Sequence, residues 1–417
     1  MKKAIILLGI CLAIASSFAF YPIDGYGSTK IARLLQLQRS VEKGEKMTRI
    51  PPGAMHSLAS IKLNLKSVQS TGLDAILTED PDFSAKIKSV IPQGNYSLVA
   101  LDMSDPDKMK YAAYKEDVGY QPGSVGKLAV LIGFFTELKK VYPDSWEKKI
   151  ELLKNRRVSA RYWGTGDHHT IPVYDIESDK LTRRKVQASD VFSLYEWLDH
   201  MVSVSNNGAA SVVFREAILM RQFGQAYPSL TDDAAEKYFD SVSKDSLTNV
   251  AHDVVNSPLN NMGISNDEWR LGGMFTTASG KHVGRKGGSN ASPKGLMKFL
   301  VQLEQGNVVD ENSSLEMKRI LYLTDRRIRY AKSPKLDDAA VYYKSGSYYK
   351  CDRDKNPNCG DYQGNVFNYM NSVIIVEQPN GIKYIVCLMS NVLNKNSAND
   401  HYYMAGEIDG IINKKDT

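Results

Sequence analysis

The chain of 417 residues is poor in cysteine, with four in all, and one of these, Cys11, lies in the apolar stretch at the amino end. Too few remain for a disulfide-dense scaffold. No segment is low-complexity or internally repeated, which excludes disordered and solenoid architectures. Charge of one sign is scarce as well: 53 basic against 47 acidic residues leave a net +6. No lysine/arginine block is interleaved with aromatics, so a nucleic-acid surface is not indicated. What is present is ordinary globular composition, 42% hydrophobic and 24% charged, in a chain long enough for one large domain or two.

The opening MKKAIILLGICLAIASSFA has two lysines, an apolar run and small residues before Ala19. It reads as a secretory signal over residues 1–19, cleaved after Ala19 or alternatively Ala15. The run is shorter than the roughly 20 apolar residues of a spanning helix. Ile10 stands where a lipidated Cys11 would need a small residue before it. The expectation is an exported protein, periplasmic or secreted, with no stable membrane anchor after cleavage. Without Lys2 and Lys3 the net charge is 53 − 2 − 47 = +4.

Residues 20–94 form an N-terminal extension: a helical pattern at Ile31, Leu34 and Leu35, then Pro51-Pro52-Gly53, then the alternating run LASIKLNL. NYSLVALDM and YAAYK read as two strands joined by a polar turn. A buried helix starts near Ser124, with Leu128, Leu131, Ile132, Phe135 and Leu138 at helical spacing. A largely helical section spans about 143–325, with Ser292-Pro293 opening one helix. Strands return at AAVYYK, NVFNYMNSVIIVE and KYIVCLMS, and a helix closes the chain from about residue 398. Strands, helices, strands, helix imply an α+β domain over 95–417, its antiparallel sheet built from both ends of the chain.

The pattern S-x-x-K occurs five times, starting at Ser40, Ser124, Ser145, Ser241 and Ser347. Only Ser124 follows a strand pair and opens a buried helix. Residues three apart share a helix face, so the Lys127 amine can lie over the Ser124 hydroxyl. A lysine can act as the base for a serine nucleophile when burial or a nearby cation lowers its pKa. Two further motifs follow in order: Ser205-Asn206-Asn207 within MVSVSNNGAAS, and Lys344-Ser345-Gly346 within VYYKSGSYY.

With these three motifs the chain resembles the serine β-lactamases and penicillin-binding proteins, whose signature is S-x-x-K, S-x-N and K-[ST]-G in that order. MVSVSNNGAAS is similar to the surroundings of the S-D-N motif in class A β-lactamases, although Asn206 replaces the usual aspartate. The resemblance covers roughly residues 95–413. It implies a β-lactamase/transpeptidase-like fold, an antiparallel sheet flanked by helices plus an all-helical subdomain. It implies that Ser124 attacks a carbonyl, that Lys127 moves the proton and that Ser205 relays one to the leaving nitrogen. Asn207 would bind the substrate amide and Lys127. Lys344 and Ser345 would hold the substrate carboxylate, Gly346 would let substrate approach, and the Ser124 and Ser347 amides would form the oxyanion hole. Glu268, in NDEWRLGG, matches the E-x-x-L-N loop that delivers water in class A enzymes, with Gly272 in place of the asparagine.

The implied partner is a small-molecule β-lactam or a peptidoglycan stem peptide. The leading expectation is a class A-like β-lactamase, and the alternative a D-Ala-D-Ala carboxypeptidase or transpeptidase. A binding protein using the insertion 208–290 is a third reading, disfavoured by the intact Ser124, Lys127, Ser205 and Lys344. No cofactor is called for. Gly166-Asp167-His168-His169 reads as a solvated loop rather than a metal site, and Asp199-His200 as helix packing or a surface pair rather than a catalytic dyad. CDRDKNPNCGD lacks the glycine and terminal glutamate of a calcium loop, so Cys351 and Cys359 are expected to be bridged at a hairpin tip. Cys387 in YIVCLM is expected as a buried thiol.

Overall fold

The computed structural model describes Pro22 and residues 24–45, 50–325 and 327–414; the expected signal segment 1–19 lies outside them. Strands β1 (Tyr96–Asp102) and β2 (Lys110–Tyr114) come from early in the chain. Strands β3 (Ala340–Lys350), β4 (Phe367–Glu377) and β5 (Lys383–Asn391) come from its end. They pair antiparallel in the order β2-β1-β5-β4-β3, which leaves β3 at an edge.

The central strand β5 is buried on both faces, which is why its sequence is continuously apolar rather than alternating. Ile385, Cys387 and Met389 face the larger core, and Tyr384, Val386 and Leu388 the smaller one. The smaller core is closed by the helix Ala398–Asn413 and by Phe83 and Ile87 of the helix Pro81–Lys88. On the other face stands the helix Lys127–Val141, buried along nearly its whole length. It packs against the helices Asn207–Phe223 and Lys244–Asn261 of the helical region. Residues 157–193 hold two short strand pairings: Ile171–Asp175 with Lys180–Arg184, and Arg157–Ser159 with Val191–Ser193.

The N-terminal extension is part of the core rather than an appendage to it. Ile31, Leu34, Leu58, Ile61, Leu65 and Ile76 belong to the larger core. Arg33, on the helix Ala32–Glu42, is buried and donates through Nε to Asp199 at 2.6 Å and through Nη2 to the Leu323 carbonyl at 2.6 Å. The alternating run LASIKLNL is not a strand. The Asn64 amide donates to Glu304 and the Leu65 amide to the Glu304 carbonyl, so helix partners take the groups that a neighbouring strand would have used. Among the described residues no helix is long and apolar enough to cross a membrane.

Candidate active site

Ser124 sits in the 3-10 turn Gly123–Gly126, one turn before the helix Lys127–Val141, and does not cap it. Its hydroxyl faces Lys127 instead, with Lys127 Nζ 2.8 Å from Ser124 Oγ. The same Nζ donates to the Ser205 carbonyl at 2.6 Å and reaches Ser205 Oγ at 3.3 Å. Lys127 is fully buried, and that burial lowers its pKa to about 7, against a smaller opposing pull from Asp167. The Phe275 ring covers the amine, its centroid 5.5 Å from Nζ. A neutral amine has two N–H groups and one lone pair, so with both N–H groups on Ser205 the lone pair is left for the Ser124 proton.

Ser205 bridges the two lysines. It lies between the helices Leu194–Val202 and Asn207–Phe223 at a φ of 60°, a left-handed conformation that a serine adopts at a cost. Lys344 Nζ donates to Ser205 Oγ at 2.8 Å and to the Ser345 carbonyl at 2.8 Å. Burial holds the Lys344 pKa well below its ordinary value, and the charges of Lys127 and Arg329 push it the same way. Arg329, invisible to motif reading, donates to the Gly346 carbonyl at 2.6 Å from a residue at φ 53°.

Gly346 also meets a packing requirement within the protein. A Cβ there would stand 2.1 Å from the Pro122 carbonyl oxygen and 3.0 Å from the Ser124 amide nitrogen. The glycine thus admits the turn carrying Ser124 onto β3. Asn371, opposite Gly346 on β4, donates to the Gln121 and Pro122 carbonyls, each at 3.0 Å. The turn and the strand therefore meet backbone to backbone where the Ser124 and Ser347 amides lie. Beyond the site, Cys351 and Cys359 are joined, with Cα atoms 5.8 Å apart, and Cys387 is a buried free thiol.

Two of the expected contacts differ. Asn207 does not bond Lys127: its backbone N–H and side-chain Nδ2 both donate to Asp167, at 2.6 and 3.1 Å. Glu268 is engaged by other partners. It forms an ion pair with Lys298 at 2.6 Å and accepts from the Ser265 amide at 2.9 Å. Burial opposes its ionisation, but these partners hold its pKa below the ordinary value. No hydrogen bond joins it to Ser124 or Lys127 among the described residues.

Asp167, His168 and His169 are metal-type donors whose ligand atoms lie within 4.8 Å of one another. The buried Asp167 carboxylate already serves Asn207, and His169 Nδ1 lies 2.8 Å away. Burial opposes its charge, yet His169 and the Asn207 amide hold it well below the usual carboxylate range. The group is accounted for as a hydrogen-bond network. Asp199 pairs with Arg33, and His200 packs between Phe192 and Trp197.

A serine beside a buried lysine, a second serine shared by two lysines, and a glycine-bearing edge strand make up a serine–lysine constellation. The model of the beta-lactamase enzyme family matches residues 82–406, and the chain belongs to that family. Solved structures share the fold. The TLA-1 extended-spectrum β-lactamase is 12% identical, covers 81% of this chain and 100% of its own, and has a TM-score of 0.52. A representative class A β-lactamase from Bacteroides cellulosilyticus is 14% identical, over 79% of this chain and 96% of its own, at a TM-score of 0.51. The TLA-3 extended-spectrum β-lactamase, 12% identical over 78% and 96%, also stands at 0.51. No curated protein matches the chain.

Proposed function

We propose that the protein is an exported serine hydrolase that forms an acyl-enzyme on Ser124 with an amide of the β-lactam or D-alanyl-peptide type. The observation that carries this is the amine of Lys127, brought to a pKa of about 7 by burial and held 2.8 Å from the Ser124 hydroxyl. Lys127 takes the Ser124 proton as Oγ attacks the carbonyl carbon. The Ser124 and Ser347 amides receive the developing oxyanion. Ser205 passes the proton from the lysine pair to the leaving nitrogen, and Lys344 with Ser345 holds a substrate carboxylate. Export rests on the signal-like segment 1–19, and the bridge between Cys351 and Cys359 suits an oxidising compartment.

The two family activities part at deacylation. A class A-like β-lactamase needs a carboxylate to activate water at the ester, and the candidate for it, Glu268, is engaged by Lys298. This favours the D-Ala-D-Ala carboxypeptidase or transpeptidase reading, in which a β-lactam leaves a long-lived adduct. Mixing the protein with a chromogenic β-lactam while following turnover and protein mass tests it. One stoichiometric burst with a persistent adduct supports the peptidase, and sustained turnover supports the lactamase. Absence of both removes the proposed chemistry.

A further inference from the structure

We propose that Phe275 is a positioning residue that keeps water away from the Lys127 amine, which readies the lysine as a base and leaves an acyl group on Ser124 without water to hydrolyse it. The consequence for the acyl group rests on the acyl-enzyme reading above; the protonation of Lys127 does not depend on it.

The segment after Glu268 brings carbon, not a carboxylate, to the turn that carries Ser124. Leu271 is buried, and a Cβ on Gly126 would stand 3.1 Å from its Cδ1, so a leucine methyl rests on the residue before Lys127. Four residues on, the Phe275 ring has its centroid 5.5 Å from Lys127 Nζ. Among the described residues the hydrogen-bond partners of that Nζ are Ser124 Oγ, the Ser205 carbonyl and Ser205 Oγ. With the ring beside them Lys127 is fully buried, so its amine has no surface open to water.

The ring is fixed from both sides. Before it, Asn256 of the helix Lys244–Asn261 accepts from the Leu271 amide at 2.9 Å and donates to the Leu271 carbonyl at 3.1 Å. After it, Thr276 Oγ1 lies 2.8 Å from Ser279 Oγ and donates to the Trp163 carbonyl at 3.3 Å, while Ser279 Oγ lies 3.0 Å from Ser211 Oγ on the helix Asn207–Phe223. All three hydroxyls are buried. The two helices that hold the segment are the ones packed against the helix Lys127–Val141, so the same packing that seats Lys127 seats the ring.

A ring over an amine acts in two directions. Its face attracts a cation, which alone would raise the lysine pKa by about one unit. Its bulk displaces water, and full burial lowers a lysine pKa by about three units or more, so exclusion of water wins. The other charges acting here are Asp167, which favours the charged amine, and Lys344, which shares Ser205 Oγ and opposes it, with Arg329 acting on Lys344 in turn. A change at Phe275 leaves all three in place.

Hydrolysis of an ester on Ser124 requires a water whose oxygen adds to the carbonyl carbon while its proton passes to a base. The bond from that carbon to Ser124 Oγ then breaks, and Oγ takes the proton back. With Lys127 as the base, the water must reach Nζ, and the ring stands beside that atom. The same cover therefore favours loss of the Ser124 proton in acylation and hinders the hydrolytic step.

The test compares Phe275→Ser, which uncovers the amine, with Phe275→Leu, which keeps carbon over it, both checked for fold by circular dichroism and melting temperature. In protein carrying 13C-lysine, the Lys127 Cε signal is assigned by its loss in Lys127→Arg and titrated. The parent midpoint should lie near pH 7. Phe275→Ser should raise it by at least about one unit, and Phe275→Leu should leave it at or below the parent value. A parent midpoint at the ordinary lysine value, a folded serine variant with the parent midpoint, or a leucine variant raised as far as the serine one overturns the proposal. The second readout is the lifetime of the benzylpenicillin adduct on Ser124, which should shorten at least about tenfold in Phe275→Ser, because a base that can meet water contributes at least that much. An equal lifetime overturns the exclusion of hydrolytic water. If no protein takes up an adduct while the serine variant raises the midpoint, the acyl-enzyme reading falls and the assignment of Phe275 to the Lys127 amine stands.

Discussion

Glu268 and Lys298 form an ion pair at 2.6 Å, and that pair engages the carboxylate that a class A-like deacylation would use. Lys298 lies on the helix Pro293–Gln305, whose start is tied to the Glu268 carbonyl through the Ser292 amide at 2.7 Å. The pairing is therefore built into the fold, not left to a mobile side chain.

Glu268→Gln is expected to leave both acylation and the lifetime of the adduct within about twofold of the parent. An ion pair this close to the surface contributes about 1 kcal/mol or less. Rapid-quench mass spectrometry checks both rates. A variant that acylates normally but traps an adduct that the parent clears would return Glu268 to the role of base.

Acylation should rise with pH as Lys127 loses its proton, reaching half its plateau near pH 7, because burial brings the amine there. Lys344 acts through its charge, and burial holds its pKa well below the ordinary value, so it gives up that charge at a lower pH than an exposed lysine does. Lys127→Arg keeps a cation and loses the base, since guanidinium does not deprotonate. A loss of at least 100-fold is expected, the low end of general-base contributions. An unaltered pH profile in that variant would place the base elsewhere.

Much of this site was legible because its motifs are local. Ser124 and Lys127 are three residues apart, Lys344 to Gly346 are contiguous, and the fold brings both lysines to the Ser205 hydroxyl. The strands β1 to β5 were legible from their apolar runs, and the bridge between Cys351 and Cys359 from their short spacing. Asp167, Phe275 and Arg329 were not, because they reach the site only through tertiary contacts: Asp167 meets Asn207 across 40 residues of chain. Gly166-Asp167-His168-His169 was noticed for its histidines, whereas its carboxylate carries the contact. Glu268 shows the opposite case. Its local pattern matches, and a lysine thirty residues later captures the side chain.

Acid should destabilise the fold through its buried histidines. Burial lowers the pKa of His200 to about 4 and of His401 to about 3. The unfolded chain protonates them near 6.5 while the folded one does not, so stability is full above about pH 6.5 and falls as pH drops toward 4 and then 3. His200→Phe, placed against the Phe192 and Trp197 rings, should reduce the slope of stability with pH between 4 and 6.5 by about one proton. Urea titrations at several pH values measure that slope. An equal slope in the two proteins would exclude His200 as a contributor.

Removing the disulfide by Cys351→Ala with Cys359→Ala should cost about 2 to 3 kcal/mol, the loop-closure value for a separation of 8 residues. Acylation should persist, because neither sulfur touches Ser124, Lys127, Ser205 or Lys344. Denaturant unfolding with and without reductant checks the figure; identical midpoints would show that the bridge does not constrain the chain.

The most direct measurement of the central claim is the mass of the protein after brief exposure to benzylpenicillin, followed by peptide mapping. The account predicts one added penicilloyl group, on the peptide containing Ser124 and not on those containing Ser40, Ser145, Ser241 or Ser347, and none at all in a folded Ser124→Ala variant. An adduct that survives that substitution, or a parent that takes up no label, would contradict it.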